Sequence, residues 1–387
     1  MEEIFIKPLK KYGSLWIYKN EILSDITHLT PGSLLRVYES RSNKIIGTGY
    51  INPKSTISIR LLSFKKENID AEFFHQKFQQ AIKYREEFLG LKHSYRMIYS
   101  ESDMLPGLIV DKYNNCLVIQ MLTAGMETFK DLIIELLDKI TNPEIIVLKN
   151  DSSSRLKEGL VTEKKIVKGE LSELPVIYED DVKFLVNPVH GQKTGFFLDQ
   201  RENRLFLKQF ITAGEGLDLF CYIGSWSIHL AKKGASVTGI DSSEHAINSA
   251  RDNAKINNLN EKCKFIKSDV FNYLKWEIKK NKSYDFMVVD PPAFVKSKNQ
   301  KDDAIEGYLT LNSLALKLLK KDAILTTSSC SQHISDFEFS EIIKEALSRN
   351  KRTGKVLYKG IQSKDHPILL TMPETAYLKC LIVKLFD

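Results

Sequence analysis

The feature that most limits what this chain can fold into is a strand–helix alternation beyond Pro188 in which successive strands close on acidic residues. Short apolar runs at 216–220, 235–241, 263–267, 285–290 and 324–328 are separated by segments of helical spacing, among them 226–232, 243–257 and 309–319. Alternation of this kind builds an α/β domain around a doubly wound, mainly parallel sheet. Ligands of such sheets bind outside the carboxyl ends of the strands, so the residues at those ends are the ones to weigh for chemistry.

The first end reads Leu217-Asp218-Leu219-Phe220-Cys221-Tyr222-Ile223-Gly224-Ser225. A tight strand-to-helix turn there brings backbone N–H groups close to a ligand, and Asp218 can hold an ammonium directly or through water. Phe220, Tyr222 and Gly224 join it as cofactor-binding candidates. Gly224 alone remains of a glycine-rich loop, so a dinucleotide fingerprint is absent. The second strand ends at Asp241, 23 residues after Asp218 and followed by Ser242, where a ribose diol needs acceptors. After the third strand, Asp269 can accept from an adenine amino group while Val270 covers the ring. Any one of these acids alone is more often a helix cap or a surface carboxylate. As an ordered set they point to a nucleoside that carries an ammonium, such as S-adenosylmethionine.

The fourth strand ends in Asp290-Pro291-Pro292-Ala293-Phe294, whose prolines stiffen a loop that cannot donate backbone hydrogen bonds. Such a loop can present Asp290, Pro291, Pro292 and Phe294 to a flat base. The fifth strand runs into Ser329-Cys330-Ser331, which places Cys330 at the same edge as Asp290. Carbon 5 of cytosine is a poor nucleophile until another nucleophile adds to carbon 6, and a thiolate both adds and leaves well. Cys330 is therefore a catalytic candidate, against the plainer reading of a buried, inert cysteine, and Asp290 shares its edge.

Five cysteines, at 116, 221, 263, 330 and 380, form no C-x-x-C pair, so neither a disulfide framework nor a zinc site is indicated. The histidines at 190, 229, 245, 333 and 366 lack ligand spacing as well, and no metal is expected. No window approaches the run of about 18 apolar residues that spans a bilayer. Met1-Glu2-Glu3-Ile4 puts acids where a secretory signal carries positive charge. A cytoplasmic protein that makes no use of a membrane is the expectation.

The remaining chain divides by pattern. Segments 34–38, 45–50 and 57–61 read as strands of a small β-domain, assigned to 1–68. Phe73, Phe74, Phe78, Ile82 and Leu89 recur at helical spacing and open a second, α/β unit, assigned to 69–175, with a strand at 115–122, a helix at 126–140 and a strand at 144–148. The doubly wound domain takes 176–387. A net charge of +7 says little, but its distribution says more: residues 1–66 hold 11 Lys and Arg against 5 Asp and Glu. That asymmetry suits a polyanion-binding module, because neutralising phosphates releases counterions.

These residues together resemble the RlmI-type 23S ribosomal RNA large-subunit (cytosine-5) methyltransferases, over nearly the whole chain. The likeness runs through Trp16-Ile17-Tyr18-Lys19-Asn20-Glu21-Ile22, Leu105-Pro106-Gly107-Leu108-Ile109-Val110-Asp111, the Asp218 loop, the Asp290 loop, Ser329-Cys330-Ser331 and Asp365-His366-Pro367. Its most specific string is Lys193-Thr194-Gly195-Phe196-Phe197-Leu198-Asp199-Gln200-Arg201. The resemblance implies an N-terminal PUA domain that binds RNA, a central α/β domain and a C-terminal Rossmann-like class I methyltransferase domain. It implies that Cys330 adds to the target cytosine and that Asp290 steadies the base at ring nitrogen 3 or its amino edge. It places Lys193, Asp199, Gln200 and Arg201 around the site, Lys193 on the substrate side and Arg201 either toward the cofactor carboxylate or in a structural salt bridge. The partner it implies is 23S ribosomal RNA, naked or in a partly assembled subunit, and its members often form homodimers. One departure stands out: Ala293 occupies the place where the broader RNA cytosine-5 enzymes carry a second cysteine.

Three rival readings are open to test. A guanine or adenine nitrogen methyltransferase on RNA shares the fold, and its amino-methylating forms put an aromatic directly after the double proline, where Phe294 comes one residue late. A binding protein on a methyltransferase fold would show eroded cofactor acids, yet Asp218, Asp241, Asp269 and Asp290 are all present. A small-molecule methyltransferase has no need of the basic β-module.

Overall fold

The structure is a computed structural model that describes residues 1–8, 12–294 and 301–386. By compactness the chain divides into two units, the first made of Met1–Ile177, Val186–Leu198 and Lys364–Thr375, and the second of Tyr178–Leu185, Asp199–Ser363 and Ala376–Asp387.

The first unit holds two five-stranded sheets. Strands β1 (Glu2–Ile6), β2 (Trp16–Tyr18), β3 (Leu34–Glu39), β4 (Ile45–Ile51) and β5 (Ile57–Ser63) lie in the order β1-β3-β4-β5-β2. Alternate apolar side chains, among them Ile4, Ile17, Leu35, Val37, Ile59 and Leu61, form its core. β4 runs so close to β5 that a Cβ on Gly49 would sit 2.3 Å from the Arg60 carbonyl oxygen, which only glycine permits. The second sheet, ordered β10-β9-β8-β7-β6, is built from β6 (Ser94–Tyr99), β7 (Leu108–Tyr113), β8 (Cys116–Met121), β9 (Ile145–Asn150) and β10 (Glu163–Lys168). Helices α1 (Ala71–Lys83), α2 (Ala124–Thr128), α3 (Lys130–Thr141) and α4 (Ser154–Lys157) accompany it. Tyr50 of β4 is fully buried in this second core, with its hydroxyl donated to the Pro106 carbonyl at 2.7 Å, and Arg60 of β5 pairs with Glu158 at 3.0 Å. Bonds of this kind put both sheets in one unit.

α1 begins where Asp70 accepts the Phe73 N–H at 3.1 Å and turns Phe73, Phe74, Phe78 and Ala81 inward. The helical spacing predicts continuation to 89, but the α-helix stops at Lys83 and widens into a π turn, Tyr84–Phe88. The widened turn contains Arg85, which is fully buried. Its guanidinium grips Asp103 through two bonds of 2.6 and 2.8 Å and also donates to the Arg96 and Asp365 carbonyls at 2.9 and 3.0 Å.

The chain enters the second unit within β11 (Val176–Glu179), which pairs with β12 (Val182–Leu185). Then follow α5 (Arg201–Leu207), β13 (Glu215–Leu219), α6 (Ser225–Lys232), β14 (Ser236–Asp241), α7 (Glu244–Ile256), β15 (Cys263–Lys267), α8 (Val270–Lys279) and β16 (Tyr284–Val289). The unit closes with α9 (Lys301–Leu318), β17 (Leu319–Ser329), α10 (Asp336–Arg349), β18 (Gly354–Gly360) and β19 (Lys379–Leu385). The seven strands stand in the order β15-β14-β13-β16-β17-β19-β18, with the first five parallel. β19 enters antiparallel between β17 and β18. The expected doubly wound sheet is thus present, with an antiparallel edge that the alternation did not predict. β13 has β14 on one side and β16 on the other, so the strand order reverses there and opens a crevice at the carboxyl ends. Among the described residues no helix is long and apolar enough to cross a membrane.

Arg85→Ala should lower the stability of the first unit by about 3–5 kcal/mol, since it strands the Asp103 carboxylate in a nearly dry site. Thermal and urea unfolding of the full chain would read this, and a change below about 0.5 kcal/mol, usual for a surface substitution, would show that the pair carries no such load.

Candidate active site

Every strand end predicted to matter opens into the loops at the carboxyl edge of the seven-stranded sheet. Asp218, in β13, is fully buried, and its Oδ2 accepts both the N–H and the hydroxyl of Ser227 at 3.0 and 2.7 Å. Its Oδ1 is buried without a partner among the described residues. Loss of water pushes this carboxyl up to about 7, and the charges of Asp290 and Asp241 act in the same direction. A cation brought to Oδ1 would supply the missing partner.

The loop after β13 carries positive φ at Phe220, Tyr222 and Gly224, at +62°, +49° and +79°. Left-handed backbone at two non-glycine residues costs on the order of 1–3 kcal/mol each and persists only where the surroundings fix it. Asp241 supplies that fixation: its Oδ2 accepts the Tyr222 N–H at 3.0 Å and its Oδ1 the Ser243 N–H at 2.9 Å. Each oxygen keeps a further lone pair for a diol. The exposed Ser242 follows it. Gly224 precedes α6 so closely under Phe265 that a Cβ would lie 2.9 Å from that ring. Cys221 packs inside the loop, and burial pushes its thiol well up. Asp269 is exposed and caps α8 through the Asn272 N–H at 2.9 Å, while Val270 is buried in the core beneath.

Asp290 lies across the crevice from that loop. Its Oδ1 accepts from Gln200 Nε2 at 2.9 Å and its Oδ2 from the Trp226 indole N–H at 3.0 Å. Burial lifts the carboxyl to about 6, against these two bonds and with the help of the Asp199 charge. Gln200 is itself aimed by Asn203, whose Nδ2 donates to its Oε1 at 2.6 Å. Behind them Glu179 takes two bonds of 2.6 Å from Arg204 and one of 2.9 Å from His229. Arg201, expected near a cofactor carboxylate, has its Nε 3.7 Å from the same Glu179.

Pro291 is buried and Pro292 exposed, and the Phe294 ring tilts against Tyr308 with centroids 4.7 Å apart. β16 and β17 are parallel neighbours paired at Val289 and Thr327, so Cys330 comes to the edge beside Asp290, with its Sγ 4.0 Å from the Pro291 carbonyl oxygen. Of the five cysteines Cys330 is the one partly exposed. Burial pushes Cys116, Cys263 and Cys380 to about 12, where a thiol is inert. Lys193 belongs to the first unit, its ammonium 4.6 Å from the centre of the Phe197 ring. Among the described residues no group of three or more His, Cys, Asp or Glu side chains could hold a metal ion.

Trp226, Asn203, Glu179 and Arg204 escaped sequence reasoning. Trp226 gave one usable signal, an indole two residues after Gly224 at the start of a helix, but such a residue ordinarily reads as core.

A PUA-like domain model matches residues 8–64, and a model of S-adenosylmethionine-dependent methyltransferases matches residues 160–350. Ribosomal RNA large subunit methyltransferase I of Shewanella frigidimarina is 39% identical over 349 residues, which cover 88% of this chain and 87% of that protein. The chain belongs to this family of ribosomal RNA large subunit methyltransferases. A solved chain from Streptococcus mutans, provisionally assigned as an S-adenosylmethionine-dependent methyltransferase, matches with a TM-score of 0.85 over 99% of this chain and 100% of its own. At 21% identity that likeness speaks to fold alone. A methyltransferase complexed with SAH, also a provisional assignment, aligns over the same shares at the same score.

Membership in the family makes S-adenosylmethionine the methyl donor, and the residues fit it. Its ammonium suits the unpartnered oxygen of Asp218, and its ribose suits the spare lone pairs of Asp241.

Asp218→Asn should separate stability from function. The raised carboxyl means that the folded protein holds this proton more tightly than the unfolded chain does. Asp218 therefore favours the fold fully below about pH 4 and loses that contribution as pH rises from there through about 7. The neutral amide should raise the melting temperature of the donor-free protein at pH 8 and weaken S-adenosylmethionine binding at least about tenfold by calorimetry, a loss of about 1.4 kcal/mol. Unchanged affinity would show that the orphaned oxygen is not the ammonium's partner.

Proposed function

We propose that the enzyme forms 5-methylcytosine in 23S ribosomal RNA, with Cys330 as the nucleophile that activates the base. The observation that carries this reading is the partly exposed thiol beside Asp290, at the carboxyl edge of the sheet, where the fold binds its methyl donor. The Cys330 thiolate adds to carbon 6 of the cytosine, forming an S–C bond and moving the carbon 5–carbon 6 π pair toward carbon 5. The donor, when bound, supplies an electrophilic methyl group on a sulfonium. Once carbon 5 is methylated, its proton passes to a water molecule, the C5–H pair re-forms the carbon 5–carbon 6 double bond, and the C6–S bond breaks to release the thiolate. Asp290, lifted to about 6, is part protonated near neutral pH and can meet the base at ring nitrogen 3 or the amino edge. Pro291, Pro292 and Phe294 shape the floor on which the base lies. Gln200 and Arg201 complete the donor's surroundings together with Phe220, Tyr222, Gly224, Ser242, Asp269 and Val270.

Cys330→Ala should abolish methylation while leaving S-adenosylmethionine binding intact. With wild-type protein, RNA containing 5-fluorocytosine should trap a covalent adduct, since fluorine cannot leave carbon 5 as a proton does. Full activity without Cys330 would favour a ring or exocyclic nitrogen of guanine or adenine as the acceptor.

In the same reading residues 1–68 grip RNA, 69–175 form a central domain and 176–387 carry the chemistry. Lys19, Lys44 and Lys54 are exposed on the first sheet and its turns. Replacing them by Glu should weaken RNA binding and reduce the slope of log affinity against log salt by about 0.7–0.9 for each phosphate that is no longer neutralised. An unaltered slope would remove this sheet from the substrate path.

A further inference from the structure

The loop after β17 is clamped from two sides. Tyr308 of α9 is fully buried, and its hydroxyl lies 3.0 Å from the hydroxyls of both Ser329 and Ser331, the residues that flank Cys330. From the other side comes Lys379, the first residue of β19, paired with Ser329 across the sheet and only 8% exposed. Its ammonium donates to the Ser331 carbonyl at 2.7 Å and to the Ile334 carbonyl at 2.8 Å. Two of its three N–H groups are thus committed to the stretch that begins one residue after the thiol.

A charge this deeply buried is expensive, and two neutral carbonyls offset only part of the cost. Burial holds Lys379 down at about 8, and the negative charges that act against that loss are those of Cys330, Asp336 and Glu338. Asp336 and Glu338 lie on α10, and Glu338 is already engaged by Lys301 and Ser335. Tyr308 faces Cys330 and Asp290 as a neutral phenol held above its ordinary range. A neutral side chain could brace the loop as well as Lys379 does. What an ammonium adds is a field that favours negative sulfur.

We propose that Lys379 is the positioning residue of the Cys330 loop and the charge that favours the Cys330 thiolate. The S–H bond breaks, its proton passes to solvent and the electron pair stays on sulfur in the field of the ammonium that braces the next residue. This rests on the reading of Cys330 as nucleophile, but it can be tested apart from it. The advantage is present while Lys379 is charged and fades as pH rises past about 8.

The test is the pH dependence of Cys330 alkylation by iodoacetamide in the full chain, followed by mass spectrometry of the peptide that bears it. The wild-type midpoint should fall below the ordinary thiol value of about 8.5. Lys379→Met should raise it by about one pH unit, slowing alkylation about tenfold at neutral pH, and Lys379→Arg should restore most of it. A purely structural lysine would instead change the rate by one factor at every pH and leave the midpoint in place. Coincident midpoints for wild type and Lys379→Met would overturn the proposal. So would a wild-type midpoint at or above the ordinary thiol value, a result that needs no variant to fold. Normal methylation by Cys330→Ala would sink the nucleophile reading, while the alkylation profile would still decide whether Lys379 governs the thiol.

Discussion

Asp241 holds the Tyr222 N–H, and that bond keeps two non-glycine residues in left-handed backbone at the centre of the sheet's open edge. A second bond, from the Cys221 N–H to the Ile240 carbonyl at 3.0 Å, ties the same loop to β14, ahead of the helix in which Ser227 meets Asp218. The loop is therefore a loaded element, and the acid beside it is one of its latches.

The same edge gathers carboxylates that would be cheaper in water. Asp218 and Asp290 are both lifted by burial, to about 7 and about 6, and the charge of Asp290 adds to the lift on Asp218. Their cost is contained by donors of known direction: Ser227 on one, Gln200 and Trp226 on the other. Behind Gln200, Arg204 and Glu179 satisfy one another through two bonds, so the Asp290 side is backed by a buried ion pair. A methyl donor that arrives with a positive charge meets a site already short of one.

Much of this could be seen in the sequence, for reasons that follow from how parallel sheets are buried. Strands covered on both faces read as apolar runs, so β13 to β17 and their terminal acids stood out. β18 did not, because it is an exposed edge of mixed character, and β19 gave no signal of running antiparallel between two strands that precede it. Asp269 illustrates the limit at single residues: the cap it forms on α8 is what an acid before a helix most often does. Arg201, expected at the donor carboxylate, is near Glu179, a residue of the short ribbon 22 positions earlier that no spacing rule connects to it. Lys379 is further removed still, since its meaning comes wholly from the strand insertion that sets it against Ser329.

The path of the chain between the two units has a consequence for how such an enzyme can be altered. Val186–Leu198 and Lys364–Thr375 belong to the first unit although both neighbours of each in the sequence belong to the second. The backbone thus crosses from one to the other five times, and a single cut releases neither as an intact piece. Exchange of parts between relatives by one crossover would leave each half with strands or loops that answer to a different parent.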